Sequence, residues 1–454
     1  MGAPGTVIAA GASLLLVAAC SSTDTNVAAT GSGGGGSQRD GGGQGQSASA
    51  ADAGFVGDPA ECTLEPPSAD VLLIADEQRL PAELAARGES LYWLATWETY
   101  WAPADGGFVE ATLFECAPPR ACEFEPRARL MRWDGREAAA LGEARFEELR
   151  AGQGGVFVTR YDRTLGETTA GTSKVQRLDA LVVDAAADAD AGVVDAGAVD
   201  AVDAGAVDGT LSWPESRVHI AVSGADLLLS RTLMQTTCGK AGTAPSCGSN
   251  ATAVELYSAP QDDLRAGALR PIATLTAAYA HQRMAASGDA IYLASRAALH
   301  RVDRASGLPT HTVTLPGEPT GLAASASAVY VTVESTLLVD PTLGLPTGYA
   351  ADGQLLRLVP AADGGFSVET LHDGLRSPQG LSLTGEEAFV AERVPCGRVL
   401  GFSPGADAPE VLVDRQPLPT AVAVQGSSVY WATGSDARSG PTSVAAGQVL
   451  QKRR

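Results

Sequence analysis

The feature that most constrains this chain is a spacing that recurs seven times: a large apolar residue opens a short strand, and a second follows eight residues later. The pairs are Leu84 with Tyr92, Leu149 with Phe157, Ile220 with Leu228, Met284 with Tyr292, Leu322 with Tyr330, Leu381 with Phe389 and Val422 with Tyr430. Five of these frames place Gly four residues after the first member, at Gly88, Gly224, Gly288, Gly385 and Gly426. A tight hairpin needs a positive φ there, which Gly adopts without steric cost. Gln153 and Ala326 hold that place in the other two frames. A third alternating segment follows each pair, at 130–133, 175–178, 254–257, 299–302, 355–358, 399–402 and 449–452. A fourth usually succeeds it, as at 312–315 and 368–371.

A single four-stranded antiparallel sheet cannot bury both of its faces, whereas a set of them can stack on one another. The pattern therefore predicts an all-β chain, a β-propeller of seven four-stranded blades over residues 70–454. The frames lie about 38 to about 71 residues apart, against roughly 40 to 50 in common propeller repeats, so the surplus falls in loops. The last unit ends after three strands, while residues 71–75 form a strand without a sheet. That N-terminal strand is expected to close the last blade, which removes an open edge.

Residues 1–19 carry no charge, and their apolar run at 7–17 is too short to span a membrane. The run ends Leu16-Val-Ala-Ala-Cys20, which resembles the cleavage box of bacterial lipoprotein signal peptides. The resemblance implies export and a lipid on Cys20 as the first mature residue; Ser21 after it, in place of Asp, implies the outer membrane, facing periplasm or cell surface. The chain departs from that pattern in having no Lys or Arg before the apolar run. Residues 20–69 are dominated by Gly, Ser, Ala and Asp and read as a disordered tether. A second low-complexity stretch, 183–209, repeats Asp, Ala, Val and Gly. Its carboxylates make Ca²⁺ the one cofactor to consider, but their irregular spacing fits a solvated insertion better.

The net charge of −21 disfavours nucleic acid as a partner. Six cysteines remain beside Cys20, an even number that in an exported chain suggests disulfides. Cys116 and Cys122 bracket a Pro-containing turn, Cys238 and Cys247 bracket a Gly/Pro/Ser loop, and Cys62 with Cys396 would pair by elimination. No cysteine spacing matches a four-ligand zinc site.

In a meander, the connections from strand two to three and from strand four to the next blade emerge on one face. The long two-to-three connections, 96–127, 232–252, 334–353 and 433–447, build up that face alone, and loops on a rigid scaffold are where recognition resides. Around the channel mouth the frames place Glu215, Arg217, Gln282, Arg283, Glu318, Arg376, Gln379, Arg415 and Gln416, as contacts for a polar ligand or as solvated rim. Trp93, Trp97, Tyr100 and Trp101 offer an aromatic binding surface or pack the first blade against its neighbour. The five histidines are scattered along the chain, and no hydrolase or metalloprotease motif is present.

The segments GDAIYLAS, SAVYVTV, EEAFVAE and SSVYWAT are similar to the bacterial six- to eight-bladed propellers of the TolB-like and NHL-like groups, found in many exported lipoproteins. The resemblance is to a scaffold that carries binding proteins, lactone hydrolases and lyases, so it does not select an activity. The reading is a membrane-anchored binding or scaffold module of the cell envelope with a protein or polysaccharide partner. The alternative is a metal-dependent, lactonase-like hydrolase working in the channel.

Overall fold

The computed structural model describes residues 70–454 apart from 79, 105–106, 112–122, 163–171, 179–209, 215, 242–243, 340–345, 362–364 and 435–446. Seven antiparallel sheets, each with four strands running outward from the centre, form a seven-bladed β-propeller. Blade 1 contains Pro81–Arg87, Ser90–Ala104, Glu123–Trp133 and Ala138–Ala144. Blade 2 contains Phe146–Ala151, Val156–Asp162, Thr172–Arg177 and Thr210–Pro214, so the Asp-rich stretch, outside the described residues, connects its last two strands. Blade 3 contains Ser216–Ser223, Asp226–Ala241, Ala244–Pro260 and Arg270–Thr276, and blade 4 Arg283–Ser287, Ala290–Ser295, Ala298–Asp303 and Pro309–Thr314. Blade 5 contains Pro319–Ala324, Val329–Val333, Gly353–Pro360 and Phe366–Leu375, and blade 6 Pro378–Thr384, Glu387–Glu392, Gly397–Phe402 and Glu410–Gln416. Blade 7 joins Pro419–Gln425, Ser428–Thr433 and Gly447–Arg453 to Val71–Gln78. The N-terminal strand thus supplies the outermost strand of the last blade, with Val71 opposite Lys452 and Gln78 opposite Gly447.

The alternation along each strand explains why blades stack. Successive side chains point to opposite faces, and here both faces of most inner strands are apolar. Seven buried clusters result, one at each junction between neighbouring blades. Phe389, Val399, Leu412, Val422, Val429, Trp431 and Leu450 fill the junction of blades 6 and 7, and Leu91, Trp93, Tyr430 and Val449 help fill that of blades 7 and 1. Each fully buried aliphatic or aromatic side chain contributes about 1.5 to 3 kcal/mol of apolar transfer.

The five hairpin glycines all adopt positive φ, between 55° and 61°, at the first central position of a two-residue turn. Blade 5 dispenses with Gly because Ser325 Oγ accepts from the N–H of Ala328 at 3.0 Å and its own N–H donates to Ala328 O at 2.8 Å. In blade 2 the turn is widened to Gly152-Gln-Gly-Gly155, and the buried Gln261 of blade 3 packs into it. Gln261 Oε1 accepts from Gly154 N–H at 2.7 Å, and a Cβ on Gly154 would lie 2.4 Å from the Gln261 Cβ. On this lower face the connections from strand one to strand two are all such tight turns.

The upper face is the elaborated one. In blade 1 the second strand runs nine residues past the last pairing with strand one, Pro81 with Ala95, and the following residue of strand two, Thr96, still pairs with Ala128 of strand three. In blade 3 the second and third strands continue as a two-stranded ribbon from Met234 opposite Ala251 to Ala241 opposite Ala244. The Gly/Pro/Ser segment expected as a loop is therefore extended β-structure, and it sets Cys238 directly opposite Cys247. Blade 5 adds a small hairpin, Leu337–Val339 with Pro346–Tyr349. Residues 435–446 of the expected blade 7 connection lie outside the described residues.

Candidate functional site

The innermost strands of all seven blades enclose a central cavity of about 500 Å³. Aligning the blades on the repeat makes its chemistry plain. One residue before the apolar reference, the seven blades carry in turn Glu83, Glu148, His219, Arg283, Gly321, Gly380 and Ala421. Four consecutive blades present ionisable groups at that level and three present almost no side chain. The small residues are required: a Cβ on Gly380 would approach Ala421 Cα to 2.9 Å, and one on Gly321 would approach Leu381 Cβ to 2.8 Å.

The ionisable groups form one network across blades 1 to 4. Glu83 Oε2 accepts from Arg150 Nη1 at 2.7 Å, and Glu83 Oε1 lies 3.7 Å from Arg283 Nη1. Behind the channel wall, buried Glu148 stands 3.8 Å from Arg150, contacts His219 Nδ1 at 2.5 Å and accepts from the Ile220 N–H at 3.1 Å. Burial opposes ionisation of Glu148, but His219, Arg150 and the Ile220 N–H outweigh it and hold its carboxyl at about 2. The His219 ring lies 5.0 Å from that of His281. Burial first, and His219 second, push the His281 imidazole down to about 3. Its Nδ1 lies 3.1 Å from Tyr279 O, while its buried Nε2 has no partner among the described residues.

Backbone geometry supports this placement. The innermost strand is bulged near its start in blades 1, 2, 5, 6 and 7. In blades 1, 5, 6 and 7 the strand opens with Pro, whose missing N–H suits a strand edge. The bulged residues Glu83 and Gly380 have φ of +42° and +60°, and bulges commonly re-aim side chains beside functional sites. The remaining non-glycine residues of positive φ, Ser377, Cys396, Arg415 and Leu418, all lie on the upper side of blade 6 and its passage into blade 7. Strain of this kind persists only where surrounding structure enforces it. In blade 6 the enforcing element is buried Glu392, which accepts from Arg398 Nε at 2.6 Å and Nη2 at 2.9 Å and from the Arg376 N–H at 3.1 Å. Cys396 is disulfide-bonded.

Of the residues assigned to the channel mouth from sequence, Arg283 and Gln379 line the cavity. Gln282 donates to Glu318 at 3.0 Å on the rim. Arg217 and Arg415 are exposed, Arg376 offers its backbone to Glu392, and Glu215 lies outside the described residues. Gln416 is occupied otherwise, accepting from Trp431 Nε1 at 3.1 Å. Trp93 is wholly buried between blades 7 and 1 and belongs to no exposed aromatic surface, because its ring completes that apolar junction. Trp97, Tyr100 and Trp101 occupy the extended strand of blade 1; their side chains lie outside the described residues, as do Cys20, Cys62, Cys116 and Cys122. Among the described residues no three His, Cys, Asp or Glu side chains gather as metal ligands.

Sequence reading missed Glu83, Glu148 and His219 as a group with Arg283. The signal was available in the aligned repeat, at one register position that changes from ionisable to small halfway round the ring.

No known family's sequence profile matches the chain, and no curated protein matches it in sequence. Solved structures similar to it include the Neurospora crassa Pan2 WD40 domain, 9% identical over 83% of this chain and 89% of that one with a TM-score of 0.44. A chain of the mitotic checkpoint complex is 14% identical over 89% of this chain and 97% of that one, with a TM-score of 0.47. Saccharomyces cerevisiae Sqt1 is 10% identical over 80% and 83%, with a TM-score of 0.39. At such identities the likeness assigns no activity.

Proposed function

We propose that this protein is an exported, lipid-anchored binding module that holds a protein or polysaccharide partner on its upper face at the cell envelope. The observation that carries the reading is the one-sided build of the propeller. Blades 1, 3 and 5 extend β-structure beyond the upper face, whereas the fully described connections on the lower face run from two to nine residues and add no strand. Such asymmetry costs ordering entropy with no return in core burial, which is the pattern of loops kept for recognition. The Leu16–Cys20 sequence supports the anchor, and residues 20–69 would give the ring reach from the membrane. Cys238 opposite Cys247 supports a bridge that would stiffen the blade 3 ribbon, and Cys62 is the candidate partner of Cys396.

Site-specific photocrosslinking tests the binding face. A crosslinker in place of Lys240, at the ribbon tip, should capture a discrete envelope component in the source cells, and one in place of Asp289, on a lower turn, should not. Equal capture from both faces, or capture from the lower face alone, would defeat the reading. Labelling with a fatty-acid analogue, lost on Cys20→Ala, tests the anchor separately.

A further inference from the structure

We infer that the central channel is a binding site for a small ligand bearing an anionic oxygen group, carboxylate or phosphate, on a compact carbon skeleton. Its seat is Arg393, with Arg283 beside the same cavity. The inference is independent of the partner on the upper face.

Three observations converge on it. The cavity, at about 500 Å³, lies within the range of small-molecule sites, roughly 300 to 1,000 Å³, and is closed laterally by seven strands. Three guanidinium groups line it, from Arg150, Arg283 and Arg393, against one carboxylate, Glu83. Counting Glu148 behind the wall still leaves one cation in excess. Arg150 and Arg283 share Glu83, and Arg150 also faces Glu148. Arg393 is the remainder: among the described residues its side chain makes no hydrogen bond or ion pair, while its N–H donates to Ser377 O at 3.0 Å. A half-buried guanidinium without a counter-charge keeps only part of its hydration, and an oxyanion would supply the missing partner, bidentately if geometry allows.

The surroundings fit a ligand rather than bulk counter-ions. The chain carries a net charge of −21, so a cationic excess in its centre is local and opposed to the general field. Arg393 follows Glu392, whose buried carboxylate is fixed by Arg398 and the Arg376 N–H, so the end of that strand is held rigidly. One residue after the apolar reference, five of the seven blades carry alanine, namely Ala85, Ala221, Ala285, Ala323 and Ala423, alongside Arg150 and Ser382. A wall of methyl groups with charges at one side suits a ligand that is apolar along its body and anionic at one end. Glu83 meanwhile restrains Arg150 and Arg283, so its removal should free both for the ligand.

The experiment uses the full chain at constant ionic strength, with inorganic phosphate, glycerol 3-phosphate and glutarate each replacing chloride, read by thermal unfolding and titration calorimetry. The expected result is saturable stabilisation by at least one probe. Arg393→Gln should weaken it by roughly tenfold or more, the loss of one charge-assisted contact. Arg283→Gln should weaken it less, and Glu83→Gln should strengthen it. Arg87→Gln, on the lower face, should leave it unchanged. Phosphate and glycerol 3-phosphate acting together, without glutarate, assign a phosphate ligand; glutarate alone assigns a carboxylate. Absence of saturable stabilisation by all three probes, or equal affinity in folded Arg393→Gln, overturns the inference. If Arg393→Gln does not fold, the Arg283→Gln and Glu83→Gln pair decides it, since unchanged affinity in both is an equally direct refutation.

Discussion

Trp431 donates its indole N–H to Gln416 at 3.1 Å, fifteen residues earlier in the chain and in the preceding blade. Trp93 does the same to Gln78 at 3.2 Å, again fifteen residues away and again across a blade junction. Gln416 ends the outermost strand of blade 6, and Gln78 ends the outermost strand of blade 7. The repeated bond shows that the N-terminal strand occupies a genuine fourth-strand position, equivalent to its counterpart one blade back. Gln416→Ala and Gln78→Ala should each destabilise by about 1 kcal/mol, since each leaves a buried indole N–H unpaired. Denaturant unfolding checks this, and a loss confined to one variant would break the proposed equivalence.

Gly380 and Gly288 separate strain from crowding. Both have positive φ, +60° and +55°, but a Cβ at Gly288 meets nothing within 4 Å, whereas at Gly380 it meets Ala421 Cα at 2.9 Å. Gly288→Ala should cost about 1 kcal/mol from backbone strain alone, and Gly380→Ala about 3 kcal/mol because two inner strands must part. Thermal unfolding of the two variants reads the difference.

Acid should weaken the ring through Glu148 of blade 2 and His281 between blades 3 and 4. His281 is held at about 3 against an ordinary 6.5, and Glu148 at about 2 against 4.5. Both folded values lie below the unfolded ones, so the unfolded chain binds more protons and stability falls with falling pH. The loss begins near pH 6.5 through His281 and is joined below 4.5 by Glu148. His281→Gln should flatten the decline between about pH 6.5 and pH 4 by about 2 kcal/mol. Denaturation at several pH values measures the slope, and an unchanged slope would remove His281 from this role.

The Glu392–Arg398 pair should behave as a buried charge whose partner matters more than its presence. Glu392→Ala leaves Arg398 and the Arg376 N–H without their acceptor and should cost about 3 kcal/mol, with Arg398 partly solvated. The double change Glu392→Leu with Arg398→Met should recover part of that loss. A double-mutant cycle supplies the coupling, and additivity of the two single changes would contradict it.

Much of the fold was legible because each blade repeats a short local code. Leu381 and Phe389 lie eight residues apart with Gly385 between them, and that information sits in one hairpin. The closing strand was legible too, since residues 71–75 had no other sheet to join. The channel network was not, because Glu83, Arg150, His219 and Arg283 are distant in sequence and meet only when the ring closes. Trp93 and Gln416 were ambiguous for a different reason. Amphipathic residues serve as contacts or as packing with equal ease, and only the assembled ring shows that Trp93 packs a blade junction, one of its two readings, and that Gln416 accepts from Trp431. The blade 3 ribbon escaped notice because its Thr, Ser and Gly residues carry no apolar alternation, and its extension is set by pairing across Cys238 and Cys247 instead.

The pairing of Val71–Gln78 with Gly447–Arg453 makes the ring a circuit whose final link joins the first described strand to the last. A chain threaded through a pore in one direction would deliver the first of these long before the second, and must keep it unmated for the whole transit. Interrupted synthesis would then yield an arc with an open edge at each end, a shape that proteases and chaperones can distinguish from the finished circle. Closure of the circle therefore waits on the strand that carries Lys452.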